Sequence, residues 1–172
     1  VGARPQYPAL DGSLSCDVLI IGGGFTGLSA AAHLAKAGVS VVLLEQHRFG
    51  DGASGRNGGQ LNTGQRGWVE ELEAELGFER SKALFDMADD AKAHILHFAR
   101  EHEIDIDYMQ GQLDAVHSAK YLKDYQAHPE AIARYGYNHV TYMNAQETAE
   151  RIGTTARHWL DGHWLDRGWL HQ

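Results

Sequence analysis

The chain has 172 residues, of which 43% are hydrophobic and 22% charged, and its formal net charge is −8. This composition is typical of a folded protein with a real core and excludes wholesale disorder. The acidic balance argues against nucleic acid or an anionic membrane as the main partner, because both attract basic surfaces.

Glycine is the one residue type that departs from ordinary usage. The chain holds 20 glycines, and twelve of them lie between Gly22 and Gly67. Typical usage is roughly 7%. Because glycine permits close backbone approach and positive φ, this concentration predicts loops that are shaped around a ligand.

The first half of the chain predicts a βαβ unit. Residues 1–15 contain Pro5 and Pro8 and are expected to be an extended lead-in. Residues 17–21 form an apolar run typical of a buried strand, and the alanine-rich residues 26–37 predict a helix. Gly38 is expected to end this helix before a second strand. A helix that connects two neighbouring strands in this way implies that the strands are parallel. The predicted elements are strand 17–21, helix 26–37 and strand 39–44.

The elements after this unit alternate between loop, helix and strand. Residues 48–67 show no apolar periodicity, and a structureless loop of this length is usually functional. Apolar spacings of three and four predict two helices, and an alternating pattern on either side of Gly111 predicts two strands around a turn. These are helices 68–76 and 79–102 and strands 104–108 and 113–116.

Pro129 is expected to interrupt the next helical region. Residues 118–127 and 130–135 both look helical, but proline lacks an amide hydrogen and restricts the residue before it. Residues 140–143 are a possible strand, after which Asn144 is expected to cap a short helix that runs through Arg151.

The glycine turn predicts a dinucleotide site. Gly22, Gly24 and Gly27 fit the pattern G-x-G-x-x-G between a predicted strand and a predicted helix, and Glu45 ends the next strand 18 residues after Gly27. The start of a helix offers amide donors and positive charge to a diphosphate, and Glu45 would accept from an adenosine ribose hydroxyl. A glycine turn in a ligand-free α/β core is the alternative.

The fingerprint does not by itself separate FAD from NAD. Arg48, three residues after Glu45, would be able to pair with the 2′-phosphate of NADP. We favour a surface role for Arg48, because the neighbouring carboxylate would repel such a phosphate.

Residues 49–60, with the sequence FGDGASGRNGGQ, resemble a segment of flavoenzymes in the D-amino-acid-oxidase-like superfamily. The similarity is greatest to the branch that contains gamma-glutamylputrescine oxidoreductase. It extends over residues 5–155, and the block from Ala53 to Gln60 is its most specific part. The resemblance implies an α/β fold: the N-terminal part of a Rossmann-like FAD-binding domain, followed by the beginning of an α+β substrate-side region.

This resemblance implies that FAD is the cofactor. Ser54 and the amides around residues 57–59 would line the pyrophosphate and the isoalloxazine. Arg56 would place charge near the reducible ring or, alternatively, form a salt bridge that closes the loop, and Asn57 is equally a turn former. The complete set of expected cofactor-binding residues is Gly22, Gly24, Phe25, Thr26, Gly27, Glu45, Gln46, Ala53, Ser54, Arg56, Asn57, Gly58, Gly59 and Gln60.

The implied activity is the oxidation of a C–N bond in a small amine or amino acid, by hydride transfer to the flavin. The partners would be that small-molecule amine and oxygen or another electron acceptor, with a place in putrescine catabolism. No catalytic side chain is nominated. Two alternatives stay open: a catalytically silent N-terminal fragment and an NAD-linked Rossmann dehydrogenase.

We expect four parts in the chain: the lead-in 1–15, an FAD-binding βαβ unit with its flavin loop 16–67, a helical and strand region 68–155 that joins the substrate domain, and a tail 156–172. The tail contains Trp159, Trp164 and Trp169, whose spacing of five matches neither a helix nor a strand. We therefore expect an N-terminal piece of a longer protein, or a product whose last residues are foreign to the family.

The remaining patterns predict no second site. His94, His97 and Glu101 have a spacing that would suit metal ligands, but ordinary, partly exposed histidines are favoured and no metal is expected. Cys16 is the one cysteine and is expected to be a small buried side chain in a reducing, cytoplasmic compartment. No apolar run has the length of a membrane span.

Overall fold

A computed structural model describes residues 5–116 and 118–153, and the backbone of residues 161–169. The chain divides into two compact units, one ending at Gly58 and the other beginning at Gly59. The elements are β1 Val18–Ile21, α1 Phe25–Lys36, β2 Val41–Leu44, β3 Gln60–Leu61, α2 Val69–Leu76, α3 Phe78–Glu101, β4 Met109–Val116, α4 Leu122–Ala133, β5 Val140–Asn144, α5 Ala145–Ile152 and β6 Asp161–Trp169.

The first unit is a parallel βαβ unit, as the sequence predicts. β1 and β2 pair in parallel, with Val18 opposite Val41 and Ile21 opposite Leu44. Helix α1 connects them and ends before Gly38, whose φ of 80° lies in the region that favours glycine. The Gly38 amide donates to the carbonyl of Ala35 at 2.9 Å, so the last turn of α1 is capped by backbone.

The composition of residues 17–21 predicts a buried strand, but β1 is only partly buried. Along this strand partly buried and exposed residues alternate, and the side chains of Leu19 and Ile21 are 53% and 82% exposed. Successive side chains of a strand point to opposite faces, and α1 lies against one face of this two-stranded sheet. Residues 17–21 therefore have the composition of a buried strand, although one face of the strand is exposed.

The second unit is organised around β6. This strand pairs antiparallel with β4 along its length, with β5 through Asp161–Leu165 and with β3 through Gly168–Trp169. The prediction that the tail matches no regular structure is thus wrong for residues 161–169, since pairing with three strands determines the backbone there. The rest of the tail, residues 156–160 and 170–172, lies outside the described residues.

The predicted hairpin around Gly111 is also wrong. Residues 104–108 are not a strand, because the Asp105 side chain accepts a hydrogen bond from the Asp107 amide at 3.1 Å and Asp107 has a φ of 44°. Gly111, with a φ of 106°, lies inside β4, where the register with β6 shifts between Gln110 and Gln112. Two residues of β6, 166 and 167, lie opposite Gly111, so this register shift is a β-bulge in β6 instead of a turn.

Helix α4 passes through Pro129 without a break, so the expected interruption is wrong. A proline inside a helix costs about 3 kcal/mol. Two residues on one face of this helix are buried: His128 is 8% exposed and Ile132 is 2% exposed. Burial of this face in the core favours the continuous helix and opposes the local cost.

The core of the second unit lies where α2, α3 and α4 meet. Val69, Phe85, Ile132, Tyr135 and Tyr137 are buried together there. The Tyr135 hydroxyl lies 3.0 Å from the Ser81 hydroxyl and 3.2 Å from a carboxylate oxygen of Glu73, and burial raises its pKa. This core gives the second unit a hydrophobic centre of its own.

The predicted cap at Asn144 is confirmed. Its side-chain oxygen accepts from the amides of Gln146 at 2.9 Å and Glu147 at 3.1 Å, and Glu147 accepts from the Asn144 amide at 2.8 Å. This reciprocal arrangement is a capping box. Within the part of the chain that the structure describes, no helix is long and apolar enough to cross a membrane.

Candidate cofactor-binding site

The glycine turn joins the end of β1 to the start of α1 in a conformation that requires glycine at two positions. Gly22 has a φ of 105°, and its amide donates to the Leu44 carbonyl at 2.8 Å, which ties the ends of β1 and β2 together. A Cβ on Gly27 would collide with the Gly22 carbonyl oxygen and lie 3.3 Å from Cγ2 of Ile20. The absence of a side chain at Gly27 therefore sets how closely α1 approaches β1.

Glu45 lies directly against this turn. One carboxylate oxygen accepts from the Gly23 amide at 2.7 Å, and the other accepts from the His47 amide at 2.9 Å. The hydrogen bond from His47, followed by the one from Gly23, holds the pKa of Glu45 below its ordinary value. The carboxylate is therefore charged at neutral pH, and it is fixed in position by two backbone donors.

Ser54 connects the segment after β2 to the N-terminus of α1. Its hydroxyl oxygen accepts from the Phe25 amide at 2.9 Å, and a Cβ on Gly24 would lie 2.9 Å from the same oxygen. Ser54 belongs to a short 3₁₀ turn, Ala53–Gly55. Gly24, the N-cap residue of α1, has no side chain with which to cap it, so Ser54 supplies the cap from elsewhere in the sequence.

Asn57 stabilises this short turn from its C-terminal side. Its side-chain nitrogen donates to the Ser54 carbonyl at 2.9 Å and to the Ala53 carbonyl at 3.4 Å. The alternative in which Asn57 is a turn former therefore has direct structural support. Arg56 is the residue at which the 3₁₀ turn ends.

These residues surround a cleft of about 1100 Å³ in the first unit. Ligand sites commonly have volumes of roughly 300–1000 Å³, so the cleft is large enough for a dinucleotide. The expected residues that line it are Gly22, Gly24, Glu45, Gln46, Ala53, Ser54 and Arg56. The amide groups at the start of α1 and the charged carboxylate of Glu45 fit the diphosphate and ribose of such a ligand.

The other expected residues occupy different places. Phe25 and Thr26 begin α1 and are exposed, whereas Gly27 is buried under the Gly22 carbonyl. Gly58 ends the first unit, while Gly59 and Gln60 belong to the second unit, in which Gln60 begins β3.

Sequence reasoning missed three parts of this site. Gly23 is buried, and a Cβ there would collide with the ring of Phe49 and lie 3.2 Å from Cβ of Glu45. Residues 5–10 of the lead-in also line the cleft. The fingerprint leaves position 23 open, so a third glycine there was a sign that Gly23 has a role of its own. Phe49 and the lead-in show no comparable sequence pattern.

The second unit has a separate cleft of about 690 Å³. Aromatic rings and carboxylates line it, among them Trp68, Tyr121, Tyr125, Glu70 and Asp124. None of the residues expected to bind the cofactor lies in this cleft.

A parallel βαβ unit with a glycine turn, an acidic residue at the end of β2 and an adjoining cleft defines the dinucleotide-binding class of α/β proteins. Within that class, the family model described as "FAD dependent oxidoreductase" (DAO) matches residues 17–172, and the chain belongs to this family. FAD is the family's cofactor, which favours FAD over the NAD-linked alternative. The match runs through residue 172, so the tail lies within the part of the chain that the family model covers.

Curated relatives carry related names. The chain is 52% identical to a probable oxidoreductase OrdL of Rhizobium meliloti (strain 1021), over 91% of this chain and 37% of the relative. It is 35% identical to the gamma-glutamylputrescine oxidoreductase of Escherichia coli (strain K12), over 86% of this chain and 35% of that protein. The chain therefore spans little more than a third of the length of these relatives.

Solved structures share the fold at low sequence identity. An L-amino acid deaminase from Proteus myxofaciens matches with a TM-score of 0.73 at 22% identity, over 97% of this chain and 36% of that chain. A glycine oxidase from Bacillus cereus matches with a TM-score of 0.64 at 22% identity, over 91% of this chain and 40% of that chain.

Proposed function

We propose that this chain is the FAD-binding N-terminal part of an oxidoreductase that oxidises the C–N bond of a small amine or amino acid. The observation that carries the proposal is the convergence of Glu45 and Ser54 on the glycine turn, each through a backbone hydrogen bond, beside a cleft of about 1100 Å³. Membership of the FAD-dependent family supports it.

The adenosine half of the cofactor would be held by Glu45. The Glu45 carboxylate accepts from the amides of Gly23 and His47 and has further acceptor capacity for a ribose hydroxyl. Its lowered pKa keeps these acceptors charged. The diphosphate would lie at the start of α1, where the amides of Thr26 and Gly27 have no acceptor within the helix.

Residues 53–57 would position the flavin half of the cofactor. Ser54 and Asn57 fix the backbone of the Ala53–Gly55 turn, and Arg56 would supply positive charge near the reducible ring. When bound, the flavin would accept a hydride from the carbon that bears the substrate amine and pass the electrons to oxygen or another acceptor. The contribution of this chain is binding and orientation, and we assign no side chain to proton transfer.

The amine class of substrate rests on a relative's name. The Escherichia coli protein at 35% identity is a gamma-glutamylputrescine oxidoreductase, which favours an amine substrate and a place in putrescine catabolism. A reducing, cytoplasmic compartment stays a prediction from the single cysteine Cys16, which is free and partly buried.

The test is an anaerobic titration of the flavin-loaded protein. We expect the purified protein to carry the visible absorption of oxidised flavin, and a primary amine to bleach it without oxygen. A primary alcohol of the same chain length is the matched control and should leave the absorption unchanged. Flavin that binds but resists a panel of amines and amino acids would favour the catalytically silent fragment, and a colourless protein that binds NAD would contradict the proposal.

A further inference from the structure

The lead-in before β1 forms one wall of the candidate cofactor cleft. Residues 5–10 line the same cleft as the glycine turn and Glu45. They form neither helix nor strand. Pro5 and Pro8 each fix a φ angle near the extended range and restrict the residue before them, so this segment is stiff despite its lack of regular structure.

Tyr7 is attached to this wall through an aromatic contact. Its ring lies 5.3 Å from the ring of Phe49 at an interplanar angle of 79°, which is an edge-to-face arrangement. The side chain of Tyr7 nevertheless remains 68% exposed. One part of the ring therefore contacts Phe49, and much of the remainder is open to a ligand.

Phe49 is in turn fixed against the glycine turn. Its ring occupies the space that a Cβ on Gly23 would need, and the Gly50 amide donates to the Gly23 carbonyl at 2.9 Å. The amide of the same Gly23 donates to Glu45. Tyr7, Phe49 and Gly23 thus form a continuous set of contacts that ends beside the expected ribose acceptor.

We propose that Tyr7 is a nucleotide-binding residue whose ring contacts the adenosine half of the dinucleotide next to Glu45. This inference rests on the proposed function, because it requires a dinucleotide in the cleft. An aromatic face suits a purine, since stacking needs no particular hydrogen-bond pattern. A rigid, proline-containing segment would present the ring with little loss of conformational freedom on binding.

The experiment compares FAD and ADP binding to the full chain by titration calorimetry. The variants are Tyr7→Ala, Tyr7→Phe and, as a matched control, Leu14→Ala, which removes an exposed apolar side chain of the lead-in that does not line the cleft. We expect Tyr7→Ala to weaken both FAD and ADP about three- to tenfold, the range of a single aromatic contact. Tyr7→Phe keeps the ring and should stay within about twofold of the wild type, as should Leu14→Ala.

The possible outcomes separate this inference from the proposed function. Wild-type protein that binds FAD while Tyr7→Ala binds both ligands equally well would overturn the role of Tyr7 and leave the proposed function standing. Loss of FAD affinity with unchanged ADP affinity would overturn it too, because the ring would then serve the flavin half. Tyr7→Phe that weakened both ligands as much as Tyr7→Ala would also overturn it, because retention of the ring would then not retain the contact. Wild-type protein that binds no FAD would contradict the proposed function and this inference together.

Discussion

The hydroxyl oxygen of Ser54 accepts a hydrogen bond from the Phe25 amide at 2.9 Å, although 29 residues separate the two in sequence. This bond joins the short turn Ala53–Gly55 to the helix that follows the glycine turn. Because Gly24 offers no side-chain cap, the N-terminus of α1 depends on Ser54.

Substitution Ser54→Ala is expected to destabilise the first unit and weaken FAD binding. Loss of a helix N-cap typically costs about 1 kcal/mol. The corresponding loss in the free energy of unfolding is measurable by urea denaturation, and FAD affinity by fluorescence titration. Ser13→Ala, at an exposed position of the lead-in, is the control and should leave both quantities unchanged. If Ser54→Ala and wild type had equal stability and equal FAD affinity, this hydrogen bond would contribute to neither.

Substitution Gly27→Ala tests the close approach of α1 to β1. The added Cβ would collide with the Gly22 carbonyl oxygen, which is backbone and cannot move aside as a side chain does. We expect a loss of about 1–3 kcal/mol in the free energy of unfolding. Gly58→Ala is the matched control, because a Cβ there meets no atom within 4 Å. If Gly27→Ala proved as stable as Gly58→Ala, helix and strand would have to be further apart than described.

Glu45 predicts a specific pH dependence. Its pKa is lowered in the folded protein from an ordinary value of 4.5, so its contribution to stability is present above that pH and is lost as the pH falls through the folded pKa. The difference in unfolding free energy between wild type and Glu45→Gln should therefore be largest near neutral pH and shrink as the pH falls below 4.5 through the folded pKa.

Urea denaturation of both proteins at several pH values measures this difference. The effect should be modest, because the carboxylate is partly exposed and its interactions are screened. Glu75→Gln, at an exposed position of α2, serves as the reference. A difference for Glu45→Gln that stayed constant or grew towards acid pH would show that the two backbone hydrogen bonds do not favour the charged carboxylate.

The site was more predictable from sequence than much of the second unit. The positions of Gly22, Gly27 and Glu45 follow from a pattern of fixed spacing in the sequence. The tight turn and the close packing of helix on strand require glycine, and an acidic residue follows the second strand. The bond between Ser54 and Phe25 does not, because a cap supplied from 29 residues away has no fixed spacing.

The incorrect predictions for the second unit have a common physical cause. β6 pairs with β3, β4 and β5, and its conformation is determined by these partners rather than by the period of its own side chains. Pro129 likewise remains inside α4 because His128 and Ile132, on one face of that helix, are buried. Long-range pairing and core burial outweighed local preference in both cases.

The central claim is that a dinucleotide, FAD, binds at the glycine turn. The most direct measurement is the dissociation constant of FAD for wild type and Gly24→Val. A Cβ at this position would lie 2.9 Å from the Ser54 hydroxyl oxygen, and the larger valine would intrude on the start of α1, where the diphosphate would lie. Ser29→Val, at an exposed position on α1, is the control. We expect the wild type and Ser29→Val to bind FAD alike and Gly24→Val to bind at least about tenfold more weakly, a loss of about 1.4 kcal/mol. Equal affinity of all three proteins, or a wild type that does not bind FAD, would contradict the claim.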